Sequence, residues 1–150
     1  MTGSSVQAWL QAERVIWLPG GGVEGDDTDG HIDQSARFVD AERVLVATPY
    51  CEDAPEAHDL RQNFEAVATA IGSTGKHLQP IPLPMPAPKF QDGSRLPACY
   101  CNYILVNGGV LVPTFRDPAD DRIGVIGRGP VLDHAQLRAR DVHEHVAILH

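Results

Sequence analysis

Short apolar runs separated by polar turns fill the first fifty residues, a pattern that predicts strands rather than one long helix. A helix ending over 6–13 is followed by the apolar run 14–18, which predicts a short buried strand. Residues 36–40 and 43–48 predict two more strands joined by a tight turn at 40–42.

The clearest helix is predicted over 53–71, with Asp53 as its cap and Pro55 in its first turn. A strand follows at 77–83. The alternating prolines over 80–88 then predict a stiff, extended loop. The apolar stripe of the helix consists of Leu60, Phe64, Val67, Ala68 and Ile71.

The second half repeats this order more weakly. Residues 101–107 and 110–114 predict a hairpin around Gly108 and Gly109. Asp117 and Pro118 then open a helix through about residue 126. Strands and helices in this order predict an α/β fold built from repeated ββαβ units, which pack against one another because one unit cannot bury both faces of its sheet.

The last stretch differs from the rest. Residues 129–150 predict an amphipathic helix and carry no strand pattern. The chain therefore divides into a main domain, 1–128, and a divergent C-terminal tail, 129–150, predicted to be helical.

The net charge of the chain limits the classes of molecule that it is expected to bind. The 150 residues carry a net charge of −8, with a pI near 5.2. This argues against nucleic acid and anionic membranes as partners and suits a cationic substrate. No secretory signal or membrane span is visible, and three cysteines predict reduced thiols and a cytoplasmic location.

The most informative segment is the acidic loop, defined here as residues 20–33. Five carboxylates and one histidine fall within 24–33, one residue after three consecutive glycines. Clustered carboxylates repel one another unless a cation or a proton relay requires them. A histidine two residues from Asp33 adds a group that titrates near neutrality. The segment predicts a site that grips a planar cation and moves protons on it, with His31 as acid/base and Asp33 as the carboxylate.

The alternative is a solvated acidic turn. A calcium loop is disfavoured because Gly25 and Ala36 stand where its first and last ligands belong. The cysteines at 99 and 101 are too closely spaced for zinc and predict small buried residues. The histidines at 143 and 145 point apart on a helix, so no metal site is predicted.

Two blocks carry a specific resemblance. Residues 15–20 with 24–33 and 36–38 form the first, and residues 102–115 with 117–120 form the second. Together they resemble the agmatine deiminase family, close kin of the bacterial peptidylarginine deiminases. The resemblance runs from about residue 6 to about residue 126.

The resemblance implies a pentein-like five-bladed α/β propeller, of which this chain would be a part. It also implies hydrolysis of agmatine to N-carbamoylputrescine and ammonia, in putrescine (polyamine) biosynthesis, without metal or organic cofactor. The family's Asp-Gly-His-x-Asp motif matches at Asp29, Gly30, His31 and Asp33. By that match His31 is the general acid/base and Asp33 binds the guanidinium.

The chain also departs from the family. Members are about twice as long, and their nucleophilic cysteine lies in a Gly-rich His-Cys segment that is not found here. We therefore expect a truncated or frameshifted product with no deiminase activity of its own, and self-association through open sheet edges. The alternatives are a non-catalytic binder of a guanidinium or amine through Asp27, Asp29 and Asp33, and a structural remnant. Agmatine and peptidyl arginine both stay open as substrates.

Overall fold

The computed structural model describes residues 3–26, 30–106, 109–126 and 146–149. The helices in these ranges are α1 (Gly3–Leu10), α2 (Ile32–Ser35), α3 (Ala57–Thr69) and α4 (Ala119–Ile126). The strands are β1 (Arg14–Trp17), β2 (Ala36–Phe38), β3 (Arg43–Thr48), β4 (Gln79–Pro84), β5 (Lys89–Gln91), β6 (Ser94–Leu96), β7 (Ile104–Val106), β8 (Gly109–Leu111) and β9 (Val146–Leu149).

A three-stranded sheet of order β2-β3-β4 lies at the centre of the described residues. β2 and β3 are antiparallel, and their turn is closed by Asp40, whose Oδ1 accepts hydrogen bonds from the backbone N–H groups of Glu42 (2.9 Å) and Arg43 (2.8 Å). Helix α3 crosses over so that β4 lies parallel to β3. These four elements confirm one predicted ββαβ unit.

The central strand β3 is buried on both faces, and its successive side chains point to opposite sides of the sheet. Val44 and Val46 belong to one apolar cluster together with Val67 of α3. Leu45 belongs to the other cluster together with Leu60 of the same helix. The apolar stripe of α3 is therefore shared between two cores.

Helix α3 begins later than predicted. Its N-cap is Glu56 and not Asp53, and Glu56 makes no side-chain cap hydrogen bond. The physical reason is that the Glu56 carboxylate pairs with Arg95. The helix also ends before Ile71, which lies outside it.

The proline-rich segment is only partly a loop. Pro80, Pro82 and Pro84 lie in β4 at the edge of the sheet, where a residue without an N–H is tolerated. The hairpin β5–β6 follows, which was not predicted. Its turn is Asp92-Gly93, with φ of 51° and 81°. An Asp-Gly pair is a strong hairpin signal, so the information was present.

The second half matches its prediction in part. β7 and β8 form the predicted hairpin, and α4 is the predicted helix. The predicted tail helix is wrong over Val146–Leu149, which form β9, parallel to β1. A short apolar run does not distinguish helix from strand by periodicity alone. The rest of the tail, 129–145 and His150, lies outside the described residues.

Several large apolar side chains are exposed. Among the described strands β1 pairs with β9 alone, and Trp17 is half exposed rather than buried as predicted. Trp9 of α1 is 87% exposed, and Ile104 and Leu111 face solvent as a cross-strand pair. Exposed edges and apolar residues favour pairing with other chains. Self-association stays a prediction.

Candidate active site

Two glycines shape the end of the acidic loop. Gly25 and Gly30 have φ of 95° and 96°, in the left-handed region that side chains disfavour. The bend at Gly30 delivers His31 to the start of α2, with its backbone extended. The His31 N–H donates to Asp26 Oδ2 at 3.2 Å. The loop thus folds back on its own acidic residues.

His31 and Asp33 lie together on the surface. The distance from His31 Nδ1 to Asp33 Oδ1 is 3.9 Å, which is beyond a hydrogen bond but close enough for an ion pair with a protonated imidazole. Their side chains are 55% and 42% exposed. An imidazole and a carboxylate this close, both open to solvent, can contact one planar cation from two points. Asp27 and Asp29 lie outside the described residues.

The glycine run packs on helix α3. The Gly20 N–H donates to Asn63 Oδ1 at 2.8 Å, in a buried position. A Cβ at Gly20 would lie 2.2 Å from the backbone oxygen of Asp59. These glycines were predicted to let the backbone turn and approach a ligand; at Gly20 the backbone approaches helix α3. Asn63 was missed, although an amide on the apolar side of a helix is a recognisable signal.

One carboxylate of the acidic loop is already paired. Glu24 forms an ion pair with Arg95 of β6, and Arg95 Nη2 also contacts Glu56 Oε1 at 2.7 Å. A Cβ at Gly25 would lie 2.7 Å from the Arg95 carbonyl oxygen. The loop therefore binds a guanidinium of the protein itself. Nothing in the sequence pattern pointed to Arg95.

The two resembling blocks meet in space at Arg37. Its guanidinium lies 4.6 Å from the centre of the Tyr103 ring. Its Nη1 donates to the carbonyl oxygens of Tyr103 (3.2 Å) and Cys101 (3.4 Å). A cation over an aromatic face with two carbonyl acceptors is a stable packing unit. It fixes the second block beside the strand that follows His31 and Asp33.

Cys99 and Cys101, which directly precede the second block, are buried, as predicted. Burial raises the pKa of the Cys99 thiol, and the charges of Asp33 and Asp26 raise it further. Burial likewise raises the pKa of Cys101. Both thiols therefore stay protonated at neutral pH, whereas a cysteine nucleophile must be a thiolate. Cys51 is exposed in the loop after β3.

Metal-ligand clusters and membrane-spanning helices are both absent from the described ranges. No three His, Cys, Asp or Glu side chains there are grouped so that they could hold a metal ion. Within the same ranges, no helix has the length and apolar character needed to cross a membrane.

Known proteins of similar structure and sequence identify the family of this chain. The structure resembles that of a cysteine-to-serine variant of C. jejuni agmatine deiminase with substrate bound, with a TM-score of 0.71, 25% identity and coverage of 97% of this chain and 39% of the other. Residues 2–131 match the Porphyromonas-type peptidyl-arginine deiminase family, and the chain belongs to that family.

Curated relatives agree with this assignment. Agmatine deiminase of Pseudomonas fluorescens is 35% identical over 129 residues, which cover 74% of this chain and 35% of the relative. Agmatine deiminase of Medicago truncatula is 29% identical, over 82% of this chain and 38% of the relative. The chain therefore spans little more than a third of the length of these relatives.

Proposed function

We propose that this chain contributes the histidine and aspartate of a guanidine-hydrolysing site of the agmatine deiminase type. The observation that carries the proposal is the 3.9 Å approach of His31 and Asp33, both open to solvent, at the Gly30 bend of a deiminase-family chain. Asp33 would orient the substrate guanidinium through paired hydrogen bonds, because one carboxylate matches the donor fork of a guanidinium.

His31 would move the protons. A cysteine thiolate forms a bond to the guanidinium carbon, and the protonated imidazole gives its proton to the nitrogen that leaves as ammonia. The neutral imidazole then takes a proton from water as the water oxygen adds to the same carbon. The carbon–sulfur bond breaks with its electron pair on sulfur, which restores the thiolate, while the added hydroxyl gives its remaining proton to solvent, and the neutral ureido product leaves. With agmatine this product is N-carbamoylputrescine.

The second candidate function is binding of a guanidinium without turnover by these 150 residues. Burial of Cys99 and Cys101, with both pKa values raised, supports it, because neither thiol supplies a thiolate beside His31. Loss of a nucleophile from a group that acts as a unit lowers turnover by about 10⁶ in other enzymes. We expect the chain to bind agmatine and release no ammonia.

Two further expectations concern the complete fold and the cellular compartment. The ββαβ unit formed by β2, β3, α3 and β4 is a suitable repeat for an α/β propeller. The cysteines at 51, 99 and 101 form no disulfide. Free thiols favour a reducing compartment such as the cytoplasm.

Calorimetry tests the proposal. Agmatine is titrated into the wild type, Asp33→Asn and Asp92→Asn, with acetyl-arginine amide as the peptidyl substitute. Asp92 is a matched control because it is exposed in the β5–β6 turn, where its φ of 51° also suits asparagine. Asp33→Asn should weaken binding about tenfold, equivalent to about 1.4 kcal/mol.

Two results would contradict the proposal. One is an Asp33→Asn variant that binds like the Asp92→Asn control. The other is a wild type that binds neither guanidine. Steady ammonia release that disappears in His31→Ala would instead show that the chain is catalytic by itself, against the second candidate. Tighter binding of acetyl-arginine amide than of agmatine would favour the peptidyl substrate.

A further inference from the structure

Arg95 joins three parts of the chain at one guanidinium. It lies on β6, and it pairs with Glu24 of the acidic loop and with Glu56 at the start of α3. The Arg95 side chain is 12% exposed and that of Glu56 is 5% exposed, whereas Glu24 is 53% exposed. Arg95 therefore forms a buried ion pair with Glu56 at the helix and a more exposed ion pair with Glu24 of the loop.

The buried Glu56 carboxylate depends on Arg95 for its compensation. Glu56 Oε2 is buried and has no hydrogen-bond partner among the described residues, so there the interaction of Oε1 with Arg95 compensates this carboxylate. Breaking a buried pair from one side leaves an uncompensated charge, which is strongly unfavourable. Arg95 is thus held firmly on the Glu56 side, and its remaining donors are fixed in direction toward Glu24.

The backbone of the loop confirms the close fit. A Cβ added at Gly25 would lie only 2.7 Å from the Arg95 carbonyl oxygen. The next residue, Asp26, accepts the N–H of His31. The path from Arg95 to the candidate site is therefore short: the guanidinium holds Glu24, the loop turns at Gly25, and the Asp26 carboxylate contacts the backbone of His31.

We propose that Arg95 is a positioning residue for the guanidine site, clamping the acidic loop onto helix α3 so that His31 and Asp33 face the same side. This inference rests on the proposed function for its meaning but not for its first test. Arg95 does not touch the substrate; it acts through Glu24 and Asp26. The substitution of one cation for another at this position is not conservative, because lysine lacks the fork that meets two carboxylates.

The test uses Glu24→Gln, Arg95→Lys and the control Glu52→Gln. Glu24→Gln releases the open end of the clamp and leaves Arg95 on Glu56. Arg95→Lys keeps the net charge and removes the fork. Glu52→Gln removes the same charge as Glu24→Gln from another exposed ion pair, the one between Glu52, which precedes α3, and Arg61 of that helix.

The first readout needs no ligand. In ¹⁵N–¹H spectra, the amide signals of Gly30 and His31 should shift in both Glu24→Gln and Arg95→Lys and stay in place in the control. The second readout is calorimetry, in which both variants should bind agmatine about two- to fivefold more weakly than the wild type, with melting temperatures showing that they are folded.

Unmoved Gly30 and His31 signals in the folded variants would overturn the inference. So would an Arg95→Lys variant that binds agmatine as tightly as the wild type, because a pure charge effect would spare this variant. A wild type that binds no agmatine contradicts the proposed function alone, and the spectra then still decide whether the clamp exists.

Discussion

Substitution of Gly20 tests how closely the acidic loop is held on helix α3. An ideal Cβ at this position would lie 2.2 Å from the Asp59 backbone oxygen and 2.8 Å from Asn63 Oδ1. The first contact is with helix backbone, which cannot move aside as a side chain can. Gly20→Ala must therefore push the loop off the helix or bend the helix itself.

The expected cost has two parts. Overpacking a tightly packed site costs about 1–3 kcal/mol. The shift also stretches the 2.8 Å hydrogen bond from Gly20 to Asn63, and a buried polar group left unpaired costs about 1–3 kcal/mol. The two are not fully additive, so we expect a loss of about 3 kcal/mol in the free energy of unfolding. With an m-value of about 2 kcal/mol/M, the urea midpoint falls by about 1.5 M.

The control is the next residue. A Cβ at Gly21 would meet only the Asp59 Oδ2 atom, at 3.1 Å, which is the movable end of a side chain. Gly21→Ala should therefore stay within about 0.5 kcal/mol of the wild type. Urea unfolding followed by far-UV circular dichroism gives both values. Equal midpoints for the two variants would refute the packing of the loop on α3.

Two further predictions concern titration and thiol access. The Tyr100 hydroxyl donates to Asp120 Oδ1 at 2.6 Å and lowers the pKa of that carboxyl. Because the pKa is lower in the folded state, the resulting stability is present above the usual aspartate pKa of about 4 and is lost as the pH falls through the folded pKa. Tyr100→Phe should therefore flatten the acid side of a plot of urea midpoint against pH. An unchanged slope would contradict this. Cys51 is exposed while Cys99 and Cys101 are buried, so Ellman's reagent should titrate one thiol rapidly in the native protein and three in urea; rapid reaction of a native Cys51→Ser variant would contradict the burial.

Local signals in the sequence predicted local structure well. The strands β2 and β3, the helix α3 and the hairpin β7–β8 all follow from apolar spacing and turn residues within a few positions. β5 and β6 were missed because the preceding prolines directed attention to a loop, although Asp92-Gly93 marked the turn. β9 was missed because its partner, β1, is more than a hundred residues away, and no local pattern reports such pairing.

The candidate site divides in the same way. The approach of His31 to Asp33 follows from a local motif, because the two residues are two positions apart, and their roles at a guanidinium site stay a prediction. The Glu24–Arg95 contact spans 71 residues, and the hydrogen bond from Gly20 to Asn63 spans 43. Such contacts are set by how α3 and the β5–β6 hairpin pack against the loop, which the sequence pattern alone does not specify.

The most direct test of the central claim is an NMR titration of the wild type with agmatine and, separately, with putrescine. The His31 ring protons and the Gly30 amide report on the proposed site, and putrescine matches the aliphatic amine but lacks the guanidinium. We predict saturable shifts of these signals with agmatine and much smaller shifts with putrescine. Signals that do not move with agmatine, or that move equally with both amines, would contradict a guanidinium site at His31 and Asp33.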